Sequence, residues 1–109
     1  MAILYKIQIH PAVNTEDLPR LPEQLKVDFA LYQLVLAKNP QKPERIPSHN
    51  LAGNLSGYRA MEVSWDGNYN AYRLVYRVCE KPAPRRVLIL SFAEHDPAYE
   101  KAKARIGKG

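Results

Sequence analysis

Residues 3–9, Ile-Leu-Tyr-Lys-Ile-Gln-Ile, alternate apolar and polar positions and are rich in β-formers, which predicts a first strand. His10-Pro11 stops it. A residue before proline is biased to extended backbone, so His10 reads as a strand-end residue. Asn14 or Thr15 can cap a first helix over 14–19, with Glu16 and Asp17 in the turn where the helix dipole favours negative charge. Pro19 and Pro22 keep it short. A longer helix is predicted over 22–38, because Leu25, Phe29, Tyr32 and Leu36 repeat at helical spacing. Leu31, Leu34 and Val35 widen that stripe, and Asn39-Pro40 ends the helix.

Residues 39–57 hold Pro40, Pro43, Pro47, Gly53 and Gly57 and read as a loop, with Lys42, Arg45 and His49 on its solvated side. Three strands are predicted over 58–65, 72–79 and 86–92. The turn residues Asp66-Gly67-Asn68 and the segment 81–85 join them by short connections, as in an antiparallel meander. Asp96-Pro97 opens a last helix, with Asp96 as N-cap and Pro97 in the first helical position; it runs to about Arg105, and Gly107 ends it. The expected fold is α+β: one domain over 1–109, a mainly antiparallel four-stranded sheet, an N-terminal helical hairpin on one face and a short C-terminal helix.

Side chains alternate across a strand. Tyr72, Leu74, Tyr76 and Val78 form the better core face of the third strand, which leaves Arg73 and Arg77 on an open face. In the second strand Arg59, Met61, Val63 and Trp65 are the more apolar set, so Tyr58, Ala60, Glu62 and Ser64 face out beside the arginines. The fourth strand delivers His95 to the sheet end, and Tyr99 follows in the last helix.

Composition narrows the function classes. Of 109 residues, 46% are hydrophobic and 25% charged, as in a globular chain rather than a disordered one. No run approaches the length of a membrane span, and the N-terminus lacks the basic start and long apolar stretch of a signal peptide. With Cys79 alone, no internal disulfide is expected, and a cytoplasmic protein is the simplest reading. The net charge of +5 is uneven: residues 58–109 carry ten Lys/Arg against six Asp/Glu, a net of +4. Such a basic half suits nucleic acid or an acidic partner; the plainer reading is an ordinary solvated surface.

The open face thus gathers Glu62, Arg73 and Arg77, with His95 and Tyr99 at one end. These residue types suit RNA cleavage by attack of a 2′-hydroxyl on the adjacent phosphorus. That reaction needs a base, an acid for the leaving 5′-oxygen, and cations for the charge building on phosphate. Glu62 or His95 can be base or acid, Arg73 offers a planar fork matched to phosphate oxygens, and Tyr99 can stack on a base or donate to phosphate. The alternative is a polar sheet face serving solubility. His10, His49 and His95 have no metal-ligand spacing, and no Gly-rich phosphate loop is present, so neither a metal nor a cofactor is expected.

Leu55-Ser56-Gly57-Tyr58-Arg59, the segment Tyr72-Arg73-Leu74-Val75-Tyr76-Arg77-Val78, then Val87-Leu88-Ile89-Leu90-Ser91 and Asp96-Pro97-Ala98-Tyr99 resemble the RelE/ParE superfamily of type II toxin–antitoxin toxins. The resemblance covers nearly the whole chain, and the Tyr-Arg-Leu-Val-Tyr segment is its most specific piece. It implies a toxin neutralised by a cognate antitoxin. RelE-like and YoeB-like members cleave mRNA in the ribosomal A site, whereas ParE-like members act on DNA gyrase without nuclease chemistry. A degenerate member would keep only antitoxin binding. The resemblance matches Arg73 to a phosphate-contacting catalytic arginine, Tyr99 to a near-C-terminal tyrosine and His95 to the histidine of YoeB-like members. Glu62 lies on the strand that carries catalytic side chains, and Arg59 and Arg77 are the expected substrate-binding cations. Where RelE-like members carry further lysines and an arginine, this chain has Arg59, Met61 and Glu94-His95, which favours a Glu/His/Arg chemistry.

Overall fold

The computed structural model describes residues 4–106, with the side chains of Tyr69 and Asn70 outside the description. The elements run β1 (Lys6–Ile9), two short helical turns (Val13–Asp17 and Leu18–Arg20), α1 (Glu23–Lys38), β2 (Ser48–Asn50), a turn of 3-10 helix (Gly53–Leu55), β3 (Arg59–Trp65), β4 (Asn68–Cys79), β5 (Arg86–Glu94) and α2 (His95–Arg105). Ile3 and Gly107, expected to begin the first strand and end the last helix, lie outside the described residues.

The sheet is five-stranded and mixed, in the order β1-β5-β4-β3-β2. The expected four antiparallel strands are corrected on two counts. First, β1 pairs parallel with β5, Lys6 to Arg86 through Ile9 to Ile89. Second, the predicted loop contains β2, antiparallel to β3, with Ser48 opposite Met61 and His49 opposite Ala60. The meander β3-β4-β5 is as the sequence predicts, although β4 begins at Asn68 and not at the expected Tyr72. Asp66 and Gly67 both have positive φ (50° and 83°), the backbone of a two-residue hairpin turn, so Asn68 is already opposite Trp65.

The N-terminal hairpin is also corrected. Val13–Arg20 is not a helix paired with α1: it folds against β5 and buries Val13 and Asp17. The α1 stripe packs as its spacing requires, with Leu25, Phe29, Tyr32 and Leu36 buried. The Phe92 ring meets those of Phe29 and Tyr32 at centroid distances of 5.7 and 6.0 Å. Each such side chain contributes roughly 1.5–3 kcal/mol by leaving water. Leu31 and Leu34 do not widen the stripe; they are 54% and 49% exposed.

The sheet face away from α1 is not open. Leu55, Tyr58, Val75 and Leu90 form a second apolar cluster there with Ala98 and Ala102 of α2. A bulge makes the seat for α2: Val75 opposes Ser91, but Tyr76 opposes Ile89, so Leu90 is one residue extra in β5. The Ser91 hydroxyl donates to the Ala98 carbonyl at 2.7 Å, and Arg105 donates to the Leu90 carbonyl at 3.0 Å. Phe92 N–H donates to Asp17 Oδ2 at 2.9 Å, which covers the edge of β5 beyond the end of β1.

Candidate functional site

Alternation along paired strands places the site. Glu62 of β3 is directly opposite Arg73 of β4, on the α2 side of the sheet, and Ala93 of β5 continues the row. Glu62 Oε1 is 3.6 Å from Arg73 Nη1. The Arg73 Nε–H donates to the Tyr99 hydroxyl at 3.1 Å. The Tyr99 ring meets the His95 ring edge-on at 5.0 Å between centroids. His95 Nδ1 is 2.8 Å from Asp96 Oδ1. Glu62, Arg73, Tyr99 and His95, singled out from the sequence, therefore form one chain of contacts.

Arg73 corrects the sequence reading: it is 5% exposed, because α2 lays Tyr99 over it. The helix begins two residues earlier than predicted, at His95, with Glu94 as its cap residue. Asp96 is accordingly not the N-cap but a first-turn acid that holds the His95 ring. One helical turn separates His95 from Tyr99, which is why their rings meet.

His49 is not the solvated loop residue that the sequence predicts. It lies in β2, and its pairing with Ala60 of β3 turns it to the face that carries Glu62, where His49 Nδ1 is 3.4 Å from Glu62 Oε2. Nothing local announced this, since Ser-His-Asn has no strand former and the strand exists through its partner.

Arg59 is not part of this group. It projects from the opposite face, where its guanidinium donates to Asn50 Oδ1 at 2.6 Å, the Gln41 carbonyl at 2.7 Å and Ser48 Oγ at 2.8 Å. It ties the segment between α1 and β3 together, with Tyr76, whose hydroxyl donates to the Pro40 carbonyl. Arg77 is exposed on the site's own face, four residues along β4 from Arg73, and lies 5.6 Å over the Tyr58 ring. Where the chain turns after β1, His10 Nδ1 accepts the Ala12 N–H at 3.1 Å. Among the described residues, no three His, Cys, Asp or Glu side chains converge as metal ligands would. No helix among them is long and apolar enough to cross a membrane.

No protein-family model and no curated protein matches the chain. Solved structures do. A RelBE toxin–antitoxin complex from Mycobacterium tuberculosis is 19% identical at a TM-score of 0.67, covering 85% of this chain and 100% of that one. An archaeal RelE–RelB complex from Pyrococcus horikoshii is 22% identical at 0.63, covering 87% and 99%. A mutant of the E. coli toxin RelE in the free state is 18% identical at 0.66, covering 94% and 98%. The mixed sheet, with α1 on one face and α2 on the other, is the fold that these RelE structures share.

Proposed function

We propose that the chain is the toxin of a type II toxin–antitoxin pair: a cytoplasmic, ribosome-dependent mRNA endonuclease neutralised by a cognate antitoxin. One observation carries this reading. A buried arginine joins a carboxylate on one side to a tyrosine–histidine pair on the other. A protein that acts by binding alone has no use for proton-transfer groups around an arginine. That the similar solved structures include toxin–antitoxin complexes supports the antitoxin partner.

The groups divide the work as follows. Arg73 supplies a permanent positive charge to the scissile phosphate. Because the Tyr99 hydroxyl accepts from Arg73, its own proton is left to donate to a phosphate oxygen, and the guanidinium polarises it from behind. Proton transfers belong to the Glu62 end and the His95 end. Arg77 meets the RNA backbone further along β4. The A site of the ribosome supplies the substrate pose, including in-line alignment of the 2′-oxygen and the leaving 5′-oxygen.

Two parallel assays test this. The protein is mixed with programmed ribosomes carrying mRNA in the A site, and separately with DNA gyrase and relaxed plasmid. Cleavage that needs ribosomes and falls at least ~100-fold in His95→Gln supports the endonuclease. Intact mRNA with inhibited supercoiling, unaffected by that substitution, would assign the chain to the gyrase inhibitors.

A further inference from the structure

We propose that His49 is the general base of the cleavage and that Glu62 is the residue that positions it; this rests on the endonuclease reading above. The two oxygens of Glu62 face different partners: Oε1 faces Arg73 Nη1 at 3.6 Å and Oε2 faces His49 Nδ1 at 3.4 Å. A carboxylate beside a permanent cation is an acceptor, so the imidazole nitrogen turned toward it carries the proton. The neutral tautomer of His49 then has Nδ1–H toward Glu62 and a lone pair on Nε2. That is how a carboxylate aims a histidine at a hydroxyl in nucleophilic catalysis. The side chain of His49 is 44% exposed, against 25% for Glu62, so the imidazole is the more accessible of the two to a substrate.

The other end of the strip repeats the arrangement. His95 Nδ1 is held by Asp96 Oδ1 at 2.8 Å, and its side chain is 47% exposed. Each histidine thus has Nδ1 against a carboxylate and Nε2 directed away from it, with Arg73 and Tyr99 between them. The charged group that faces His49 is Glu62 on β3, with Arg73 on β4 beyond it; Arg45 reaches Glu62 from its other side, in a hollow at the β3 edge.

The step balances with these two groups. His49 Nε2 takes the 2′-hydroxyl proton while the 2′-oxygen bonds to phosphorus. The bond from phosphorus to the 5′-oxygen breaks, its electron pair stays on that oxygen, and His95 Nε2–H protonates it. The products are a 2′,3′-cyclic phosphate and a free 5′-hydroxyl. His49 ends protonated and His95 neutral, and exchange with solvent restores both.

The experiment uses the full chain with programmed ribosomes and two messages, one normal and one with a single 5′-bridging sulfur at the cleaved bond. A thiolate leaves without a general acid, so the sulfur substrate bypasses His95 and not His49. Cleavage of the normal message should fall ~100-fold or more in both His49→Gln and His95→Gln. The sulfur message should restore His95→Gln to near the wild-type rate and leave His49→Gln defective. The acidic limb of the rate–pH profile should flatten in His49→Gln, and added imidazole should raise the rate of His49→Gly. A His49→Gln rate within ~3-fold of wild type, with His95→Gln still defective, overturns the assignment and leaves the endonuclease standing. Rescue of His49→Gln by the sulfur message also overturns it. No ribosome-dependent cleavage by the wild-type protein overturns both.

Discussion

The guanidinium of Arg105 grips both carboxylate oxygens of Asp17, at 2.7 and 2.8 Å, across 88 residues of chain. Both side chains are buried, and the same pair takes up Phe92 N–H and the Leu90 carbonyl beside the β5 bulge. The clamp fixes the end of α2 and hence the helix that carries Tyr99 and His95. Its hydrogen bonds with Asp17 push the Arg105 pKa above its ordinary value, so the cation persists at any working pH. Removing Asp17 leaves the buried Arg105 cation with only the exposed Glu16 carboxylate, 3.7 Å away, to offset it. Asp17→Asn should therefore cost about 3–5 kcal/mol in urea unfolding. Replacing both, Asp17→Leu with Arg105→Met, should recover part of that loss, because no lone charge remains buried. Equal losses in the single and double variants would assign the effect to packing.

A second polar cluster ties the start of β1 to the end of β4. The Tyr5 hydroxyl donates to Glu80 Oε2 at 2.6 Å, Gln41 Nε2 donates to the same oxygen at 3.0 Å, and Arg85 lies 4.5 Å over the Tyr5 ring. The hydrogen bond from Tyr5 holds the Glu80 carboxyl below its usual range, and the same bond pushes the Tyr5 phenol up. A carboxyl with a lowered folded pKa contributes stability above its unfolded value, about 4.3, and loses it as pH falls through the folded one. A phenol with a raised pKa contributes below about 10 and loses it as pH rises through the folded value. Tyr5→Phe should therefore melt below wild type near neutral pH, with the gap closing as pH falls below the unfolded carboxyl value of about 4.3 and through the folded one. A gap that stays constant with pH would mean that the hydroxyl acts by packing alone.

The legible parts of this fold are those with a local period. The α1 core stripe follows from the spacing of Leu25, Phe29, Tyr32 and Leu36, and the shared face of Glu62 and Arg73 follows from strand alternation; their direct opposition comes from an irregularity between Val63 and Trp65 that shifts the register. The bulge at Leu90 was hidden because residues 87–90 are all apolar, so no alternation is broken there. The parallel place of β1 beside β5 was hidden because no turn connects them. Burial of Arg73 and the company of His49 depend on α2 and β2 arriving from distant sequence, which no window around either residue contains.

The two sides of α1 should respond oppositely to mutation. Phe29 is 5% exposed and packs on Phe92, so Phe29→Ala should cost about 3–5 kcal/mol through lost transfer and the cavity left behind. Leu31, 54% exposed, should tolerate Gln within about 0.5 kcal/mol. Equilibrium unfolding of the two variants decides this. A Leu31→Gln cost comparable to that of Phe29→Ala would place Leu31 in the core.

Arg73 offers the sharpest separation of chemistry from stability. As a surface residue its loss would be nearly neutral to folding, but it is buried between Glu62 and Tyr99, and truncation strands both partners. Arg73→Ala should lower stability by about 1–3 kcal/mol, the cost of polar groups left unsatisfied, and abolish cleavage. Those two losses cannot be told apart in that variant. Arg73→Lys keeps the charge and most of the volume, but it replaces a planar fork by a point charge. It cannot donate to the Tyr99 hydroxyl while also facing Glu62 with the same geometry. Its unfolding midpoint should stay close to wild type while ribosome-dependent cleavage falls ~100-fold or more, within the range for removing an electrostatic donor. Tyr99→Phe removes only the hydroxyl that Arg73 polarises, and it should lose activity in the same sense with a smaller fall. If Arg73→Lys cleaves at the wild-type rate, a plain positive charge suffices and the relay through Tyr99 is dispensable. If it unfolds instead, Arg73 serves chiefly to seat α2 on the sheet.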